Sequence, residues 1–277
     1  MNRTHADSRP HAVVRRLRRT VAGHRLSRHV RRTAAAARLL APASRFLAGE
    51  LRGGTRRYRL ASGIEVVIRH RSRDVDLAVE ILGDRRPYEP PPALVPRLNG
   101  PLRILDLGGN IGLFGAFALG RFEVETLTSY EPDPANAEIL ARTIAINDRG
   151  DVWRVHPQAV SNADGALRFL AARGPESRLA EPRDDAITVS AVDLFALDDR
   201  VDLLKVDIEG GEWALLCDPR LPSLDAAVIV IEWHWRFAPG PDPHGAVRRS
   251  LCAAGYEIVT DEPDPAVGIG LIWAARP

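Results

Sequence analysis

Lysine is all but missing from this 277-residue chain: of 38 basic residues only Lys205 is not an arginine. A codon bias toward arginine accounts for the pattern and leaves the one surviving lysine as a position to examine. Cysteine is nearly as scarce. Cys217 and Cys252 stand in unrelated settings with no CxxC or Cys/His spacing, which argues against a disulfide framework or a zinc site and suits a reducing compartment. No stretch approaches the roughly 18 consecutive apolar residues of a membrane span, and the N-terminus lacks the apolar run of a secretory signal, so a cytoplasmic protein is expected.

What is present is 45% hydrophobic content, enough for one domain of roughly 200 residues with an extension. The net charge of +2 hides a division. Residues 1–60 carry 16 arginines against Asp7 and Glu50, a net +14, and the remainder holds 22 basic and 34 acidic side chains, a net −12. The two parts therefore face different surroundings.

Three segments follow. Residues 1–55 form an arginine-rich arm in which Val13, Leu17, Val21, Leu39 and Leu40 fall only loosely at helical spacing. A solvated, helical or partly disordered leader is favoured there over a membrane-surface helix and over a nucleic-acid arm. Residues 56–100 read as a hairpin, Tyr58–Leu60 and Ile64–Arg69 about a turn at Ser62 and Gly63, then a helix Asp74–Leu82 ended by Gly83 and a proline run. From residue 101 strands alternate with helices: Leu102–Leu107, a helix to Leu119, Thr126–Glu131, a helix Pro134–Ile146, Val152–Val155, Val201–Asp207 and Ala226–Trp233. Ala166–Leu170 and Ile187–Val189 look like additions, and helices are expected around Ala214 and Val247. Tyr256–Val259 and Val267–Ala274 suit a closing antiparallel pair. This rhythm predicts an α/β doubly wound sheet.

The turn LDLGGNIG, residues 105–112, follows a strand and opens a helix, where such sheets bind ligands. Gly108, Gly109 and Gly112 do not match G-x-G-x-x-G, because Asn110 holds the second fingerprint position. A nicotinamide-dependent oxidoreductase is thereby the disfavoured alternative. Asp106 at the mouth of the turn is expected to repel a pyrophosphate and favour a cation such as the amino-acid end of S-adenosylmethionine. Gly108 and Gly112 would let backbone approach that ligand without a Cβ in the way. Glu131 ends the second strand 23 residues beyond Gly108, near the interval at which a carboxylate reaches a ribose, and Pro132 follows it.

LDLGGNIG, YEPDPANAEIL (130–140), AVSNADG (159–165) and LLKVDIEGGEWALL (203–216) occur in the order found in FkbM-family methyltransferases, which the chain resembles from Arg57 to Trp273. The resemblance implies a class I methyltransferase (Rossmann-like) fold, seven strands with the last antiparallel, and O-methylation of a small molecule such as a sugar, glycolipid or polyketide. It assigns Asp106, Gly108, Gly109, Asn110, Gly112, Glu131 and Pro132 to cofactor binding, and places Lys205, Asp207, Glu209 and Glu212 in a K-x-D-x-E-G-x-E segment. Gly109 stands where the family usually has alanine, and Gly211 replaces a larger residue.

Methyl transfer to an alcohol requires alignment of the acceptor and removal of its proton, by a base or with a metal that lowers the hydroxyl pKa. Asp207, Glu232 and His234, at the ends of two strands, should project over the same edge as the glycine turn, with Glu209 nearby. His234 as a base oriented by a carboxylate is preferred to a divalent cation held by these groups. Lys205 and Asp207 alternate onto one strand face, suiting a buried ion pair; Glu212 starts a helix, where a carboxylate is favoured without any function. Trp213, Trp233 and Trp235 suit either a sugar pocket or core packing. The expected partner is a small-molecule hydroxyl acceptor; no specific nucleic acid is expected, and peripheral membrane contact would run through the basic arm.

Overall fold

Period-two alternation along the apolar runs builds one large sheet with two different faces. The computed structural model describes residues 30–83, 85–170, 178–179, 186–197 and 200–277. The N-terminal part packs a helix over residues 30–39 (α1) and Ala43–Arg52 (α2) on an antiparallel hairpin, Gly54–Arg59 (β1) and Glu65–His70 (β2), followed by Asp74–Leu82 (α3). The main domain runs Leu102–Leu107 (β3), Leu113–Arg121 (α4), Val124–Tyr130 (β4), Pro134–Ile146 (α5), Trp153–His156 (β5), Ala159–Ser161 (β6), Gly165–Leu170 (β7), Arg178–Leu179 (β8) and Ile187–Asp193 (β9). It continues through Val201–Val206 (β10), Glu212–Leu216 (α6), Ala226–His234 (β11), Pro243–Ala253 (α7), Glu257–Asp264 (β12) and Ile269–Ala275 (β13).

The seven-stranded sheet has the order β5-β4-β3-β10-β11-β13-β12, parallel except for β13, which is antiparallel to both neighbours. The order reverses between β3 and β10, so the carboxyl ends of those strands open a crevice. The additions after β5 join Ala159–Ser161 in a separate four-stranded sheet, β6-β9-β7-β8.

Burial divides by parity. On β10 and β11, Leu204, Val206, Ile229, Ile231 and Trp233 face a core shared with α6 and α7. Leu203, Val228 and Val230 face the opposite core with Phe114 and Trp153. Lys205, Glu232 and His234 follow the second parity, and register pairs Lys205 with Asp106 on one side and Val230 on the other.

The arginine-rich arm is divided. Residues 1–29, with Val13, Leu17 and Val21, lie outside the described residues. Residues 30–39 and 43–52 are helical, and the stretch buries Ala36, Leu40 and Phe46 against Tyr58 and Ile68 of the hairpin, so it packs as part of the N-terminal unit rather than as a solvated leader. Small and apolar side chains at helical spacing do this between the arginines. No helix among the described residues is long and apolar enough to cross a membrane.

Close packing at α4 rests on a glycine, since a Cβ on Gly115 would stand 2.1 Å from the buried Trp153 ring. Gly115→Ala gains about 1 kcal/mol of helix propensity but overpacks the core by about 1–3 kcal/mol. A lower midpoint in thermal denaturation is expected; a raised one would show that Trp153 moves aside freely.

Candidate active site

Beyond the carboxyl ends of β3, β4, β10 and β11 lies a cavity of about 600 Å³, within the size range of small-ligand sites. Its wall includes Gly108, Asn110, Glu131, Asp207, Glu232 and His234, and Gly109, Pro132 and Glu209 also line it.

Asp106 does not stand at the mouth of the turn. It is fully buried behind it, accepting from Ser129 Oγ at 2.8 Å and paired with Lys205 Nζ at 3.2 Å. Burial raises its pKa while Lys205 and Ser129 oppose that rise. The expected repulsion of pyrophosphate by Asp106 is therefore overturned: its charge is spent on a lysine inside the sheet.

The turn excludes an anion for a different reason. The amides of Gly108 and Gly109 donate to Tyr130 O, that of Gly112 to Gly109 O, that of Asn110 to Glu131 Oε2 and that of Ile111 to Asn110 Oδ1. Five successive donors, from Gly108 to Gly112, are already engaged, which leaves a phosphate only the amides that open α4. The glycines also meet an internal need. A Cβ on Gly108, at φ +83°, would stand 1.8 Å from Asp207 O, and one on Gly112 would stand 3.1 Å from Trp153. Gly112 does not line the cavity.

Glu131 is 4% exposed, and each carboxylate oxygen accepts one backbone donor, from Asn110 at 2.7 Å and Asp133 at 2.8 Å. Each oxygen keeps a lone pair for a ligand. Burial pushes its pKa up to about 7, against those two hydrogen bonds; hydroxyl donors in the cavity would complete its solvation.

Lys205 forms the floor. Its ammonium reaches Gly108 O at 2.7 Å, Leu107 O at 3.2 Å and Asp207 Oδ2 at 3.7 Å besides Asp106, so the expected buried ion pair is present with a second carboxylate. Burial opposes the charge, yet Asp106 and Asp207 outweigh it and hold the pKa above the ordinary lysine value. Tyr88, whose role the sequence did not signal, donates to Asp207 Oδ2 at 3.2 Å.

Asp207, Glu209, Glu232 and His234 do come together. His234 Nε2 lies 3.3 Å from Glu209 and 3.9 Å from Glu232. The carboxylate that orients the imidazole is Glu212, which reading by residue type left as a helix-start acid. Fully buried, it meets Nδ1 at 3.0 Å, accepts the His234 amide at 2.6 Å and receives the Gly210 amide at 2.8 Å. The only hint in the sequence was its place in the K-x-D-x-E-G-x-E segment. Burial alone would lower the His234 pKa, but Glu212, Glu209 and Asp207 raise it to about 10. Burial and the neighbouring Asp207 push Glu209 and Glu232 up to about 8 each.

None of the three tryptophans walls the cavity. Trp213 and Trp233 are buried in the core, with Trp213 Nε1 donating to His234 O at 2.7 Å. Trp235 is half exposed and stacked on Trp233.

A sequence-family model described as the methyltransferase FkbM domain matches residues 106–258, more than half of the chain and every site residue described above except Tyr88. The chain belongs to the FkbM methyltransferase family. It is similar to methyltransferase sdnD of Sordaria araneosa, 25% identical over 204 residues, covering 58% of this chain and 76% of that protein. Among solved structures, methyltransferase FkbM from Methylobacillus flagellatus aligns with a TM-score of 0.44 at 18% identity over 63% of this chain. The chain spans 43% of that protein's length. Sp1610 from Streptococcus pneumoniae, in complex with S-adenosyl-L-methionine, aligns with a TM-score of 0.41 at 10% identity, covering 66% of this chain and 70% of that one.

Two outcomes follow for this FkbM domain. Replacing Lys205 by methionine strands Asp106 as a buried, unpaired carboxylate and is expected to cost about 3–5 kcal/mol in chemical denaturation. The pH dependence has a definite sign. Glu209 and Glu232 bind protons in the folded state between pH 4.5 and about 8, where the unfolded chain has lost them, so stability falls as pH rises through that window. His234 adds stability below 6.5 that is lost as pH climbs through about 10. Thermal scans should show the midpoint falling toward alkaline pH, and Glu232→Gln should flatten the slope by about 2–4 °C.

Proposed function

We propose that this FkbM-family chain transfers a methyl group from S-adenosylmethionine to a hydroxyl oxygen of a small molecule, of sugar, glycolipid or polyketide type. The observation that carries the reading is that one cavity is lined both by Glu131, with lone pairs to spare beside a turn whose amides are all engaged, and by a carboxylate-imidazole cluster. A nicotinamide dinucleotide would present its pyrophosphate to a turn without free donors, which disfavours the oxidoreductase alternative.

When bound, S-adenosylmethionine supplies an electrophilic methyl on a cationic sulfur. Glu131 holds the ribose hydroxyls, and the turn from Gly108 to Asn110 shapes the wall beside them. Asp207 makes the cavity attractive to positive charge, and a cation entering it favours ionisation of Glu209 and Glu232 as well. Glu212 keeps Nδ1 of His234 engaged, so that Nε2 faces the cavity carboxylates. In the empty cavity at neutral pH His234 carries a proton, because the Glu212 carboxylate at its Nδ1 and the nearby Asp207 favour it. Positive charge entering the cavity lowers that proton affinity; His234 gives up its proton to solvent, and its freed Nε2 then takes the acceptor's hydroxyl proton.

A second reading is favoured by one geometric fact: one ligand atom from each of Asp207, Glu232 and His234 lies within 4.8 Å of the other two. Such a set suits a divalent cation that lowers the hydroxyl pKa in place of a base.

Calorimetry with S-adenosylhomocysteine should give sub-millimolar binding, weakened about 10- to 100-fold by Glu131→Gln, the range of one or two charge-assisted hydrogen bonds. Folded protein giving no heat overturns the cofactor assignment. With labelled methyl donor and a panel of hydroxylated glycosides and polyols, His234→Ala should lower kcat about 10²- to 10⁴-fold while leaving S-adenosylhomocysteine affinity in place. Unchanged kcat removes His234 from the mechanism. Loss of activity on chelation, restored by Mg²⁺ or Mn²⁺, selects the cation reading, and indifference to chelation selects the base.

A further inference from the structure

Of the large apolar side chains exposed among the described residues, Val30 (57%), Leu47 (46%) and Leu51 (77%) lie on the N-terminal helical pair, and Ile187, Trp235, Phe237 and Val267 lie elsewhere. On α2, Ala43, Leu47 and Leu51 follow one another at four-residue spacing along an outward stripe, and all three are exposed. Phe46 and Gly49 point inward from the opposite side. Arg45 and Arg52 are exposed on other sides of the same helix, and α1 exposes Arg31 and Arg38. The acidic residue of this helix is turned away: Glu50 pairs with His70 and Arg32.

We propose that this face docks on an anionic lipid bilayer, with Leu47 and Leu51 entering the interface and the surrounding arginines meeting the headgroups. Neither feature alone requires a membrane; together they match the two components of interfacial binding, apolar insertion and attraction to anionic lipid. Charge argues against the other occupants. A second copy would set an arginine-rich face against its own like charge, and residues 1–29, with eight arginines against one acidic residue, Asp7, offer it no complementary charge. A nucleic acid would use the arginines and leave the leucines in water. The docked side also bears on the cavity: Arg32 of α1 pairs with Asp76 of α3, and α3 contributes Leu77, Glu80 and Ile81 to the cavity wall.

The test is cosedimentation of the full chain with vesicles of phosphatidylcholine alone and of phosphatidylcholine containing phosphatidylglycerol. Binding only to the anionic vesicles is expected, weakening with added salt. Leu47→Asp with Leu51→Asp changes exposed positions only and should lower partitioning about tenfold or more at an unchanged melting midpoint. If that variant melts early, Arg45→Ser with Arg52→Ser provides the second arm and should reduce the salt-sensitive part of binding. Absence of preference for anionic vesicles, or leucine variants that bind as well as the parent, overturns the proposal. So does a parent that ignores vesicles but dimerises through the stripe, or that binds an RNA duplex instead. These outcomes are independent of whether the cavity binds S-adenosylhomocysteine.

Discussion

The cavity is organised around one buried ammonium. Lys205 sits 3% exposed between Asp106 and Asp207, capped by two carbonyls of the glycine turn. A charge this deep is tolerated only when its desolvation is offset by close partners, so the lysine dictates where β3, β10 and the turn must stand. It also joins the two halves of the site, since the turn that shapes the cofactor side and the Asp207 carboxylate that begins the acceptor side bind the same nitrogen.

From that constraint follows the selectivity of the crevice. Because Lys205 neutralises Asp106 and holds the Leu107 and Gly108 carbonyls, the turn folds back on β4 and engages its own amides with Tyr130 and Glu131. The features that would cradle a phosphate are consumed by the fold. What faces the cavity is carboxylate: Glu131, Asp207, Glu209 and Glu232. Their pKa values and that of His234 are displaced together, as expected of groups crowded where water is scarce. The proposed ligands, a cationic nucleoside and an acceptor with a removable proton, suit the charge of such a cavity.

The N-terminal helices show the same chain solving a different problem. Ala36, Leu40 and Phe46 bury one side against the hairpin, while Leu47 and Leu51 remain in solvent among arginines. The charge asymmetry visible along the sequence thus becomes a spatial one, with a basic, partly apolar surface adjoining an acidic cavity through α3.

Much was decided by the sequence itself. Strand–helix alternation, the glycine turn and proline-initiated α5 announce the doubly wound sheet, while the antiparallel last strand was implied by the family resemblance. The same parity places Asp207, Glu232 and His234 over one edge, because side-chain direction along a strand is a local property. Tertiary structure alone decided which charges are available. Asp106 and Glu131 both read as cofactor carboxylates, yet register with Lys205 removes the first from the site and strand-end position leaves the second in it. Glu212 was indistinguishable from a helix-start acid until β11 brought His234 within 3.0 Å of it. Pairing across strands far apart in the chain sets desolvation and partner distance, and those are the quantities that turn a carboxylate into a structural, binding or proton-holding group.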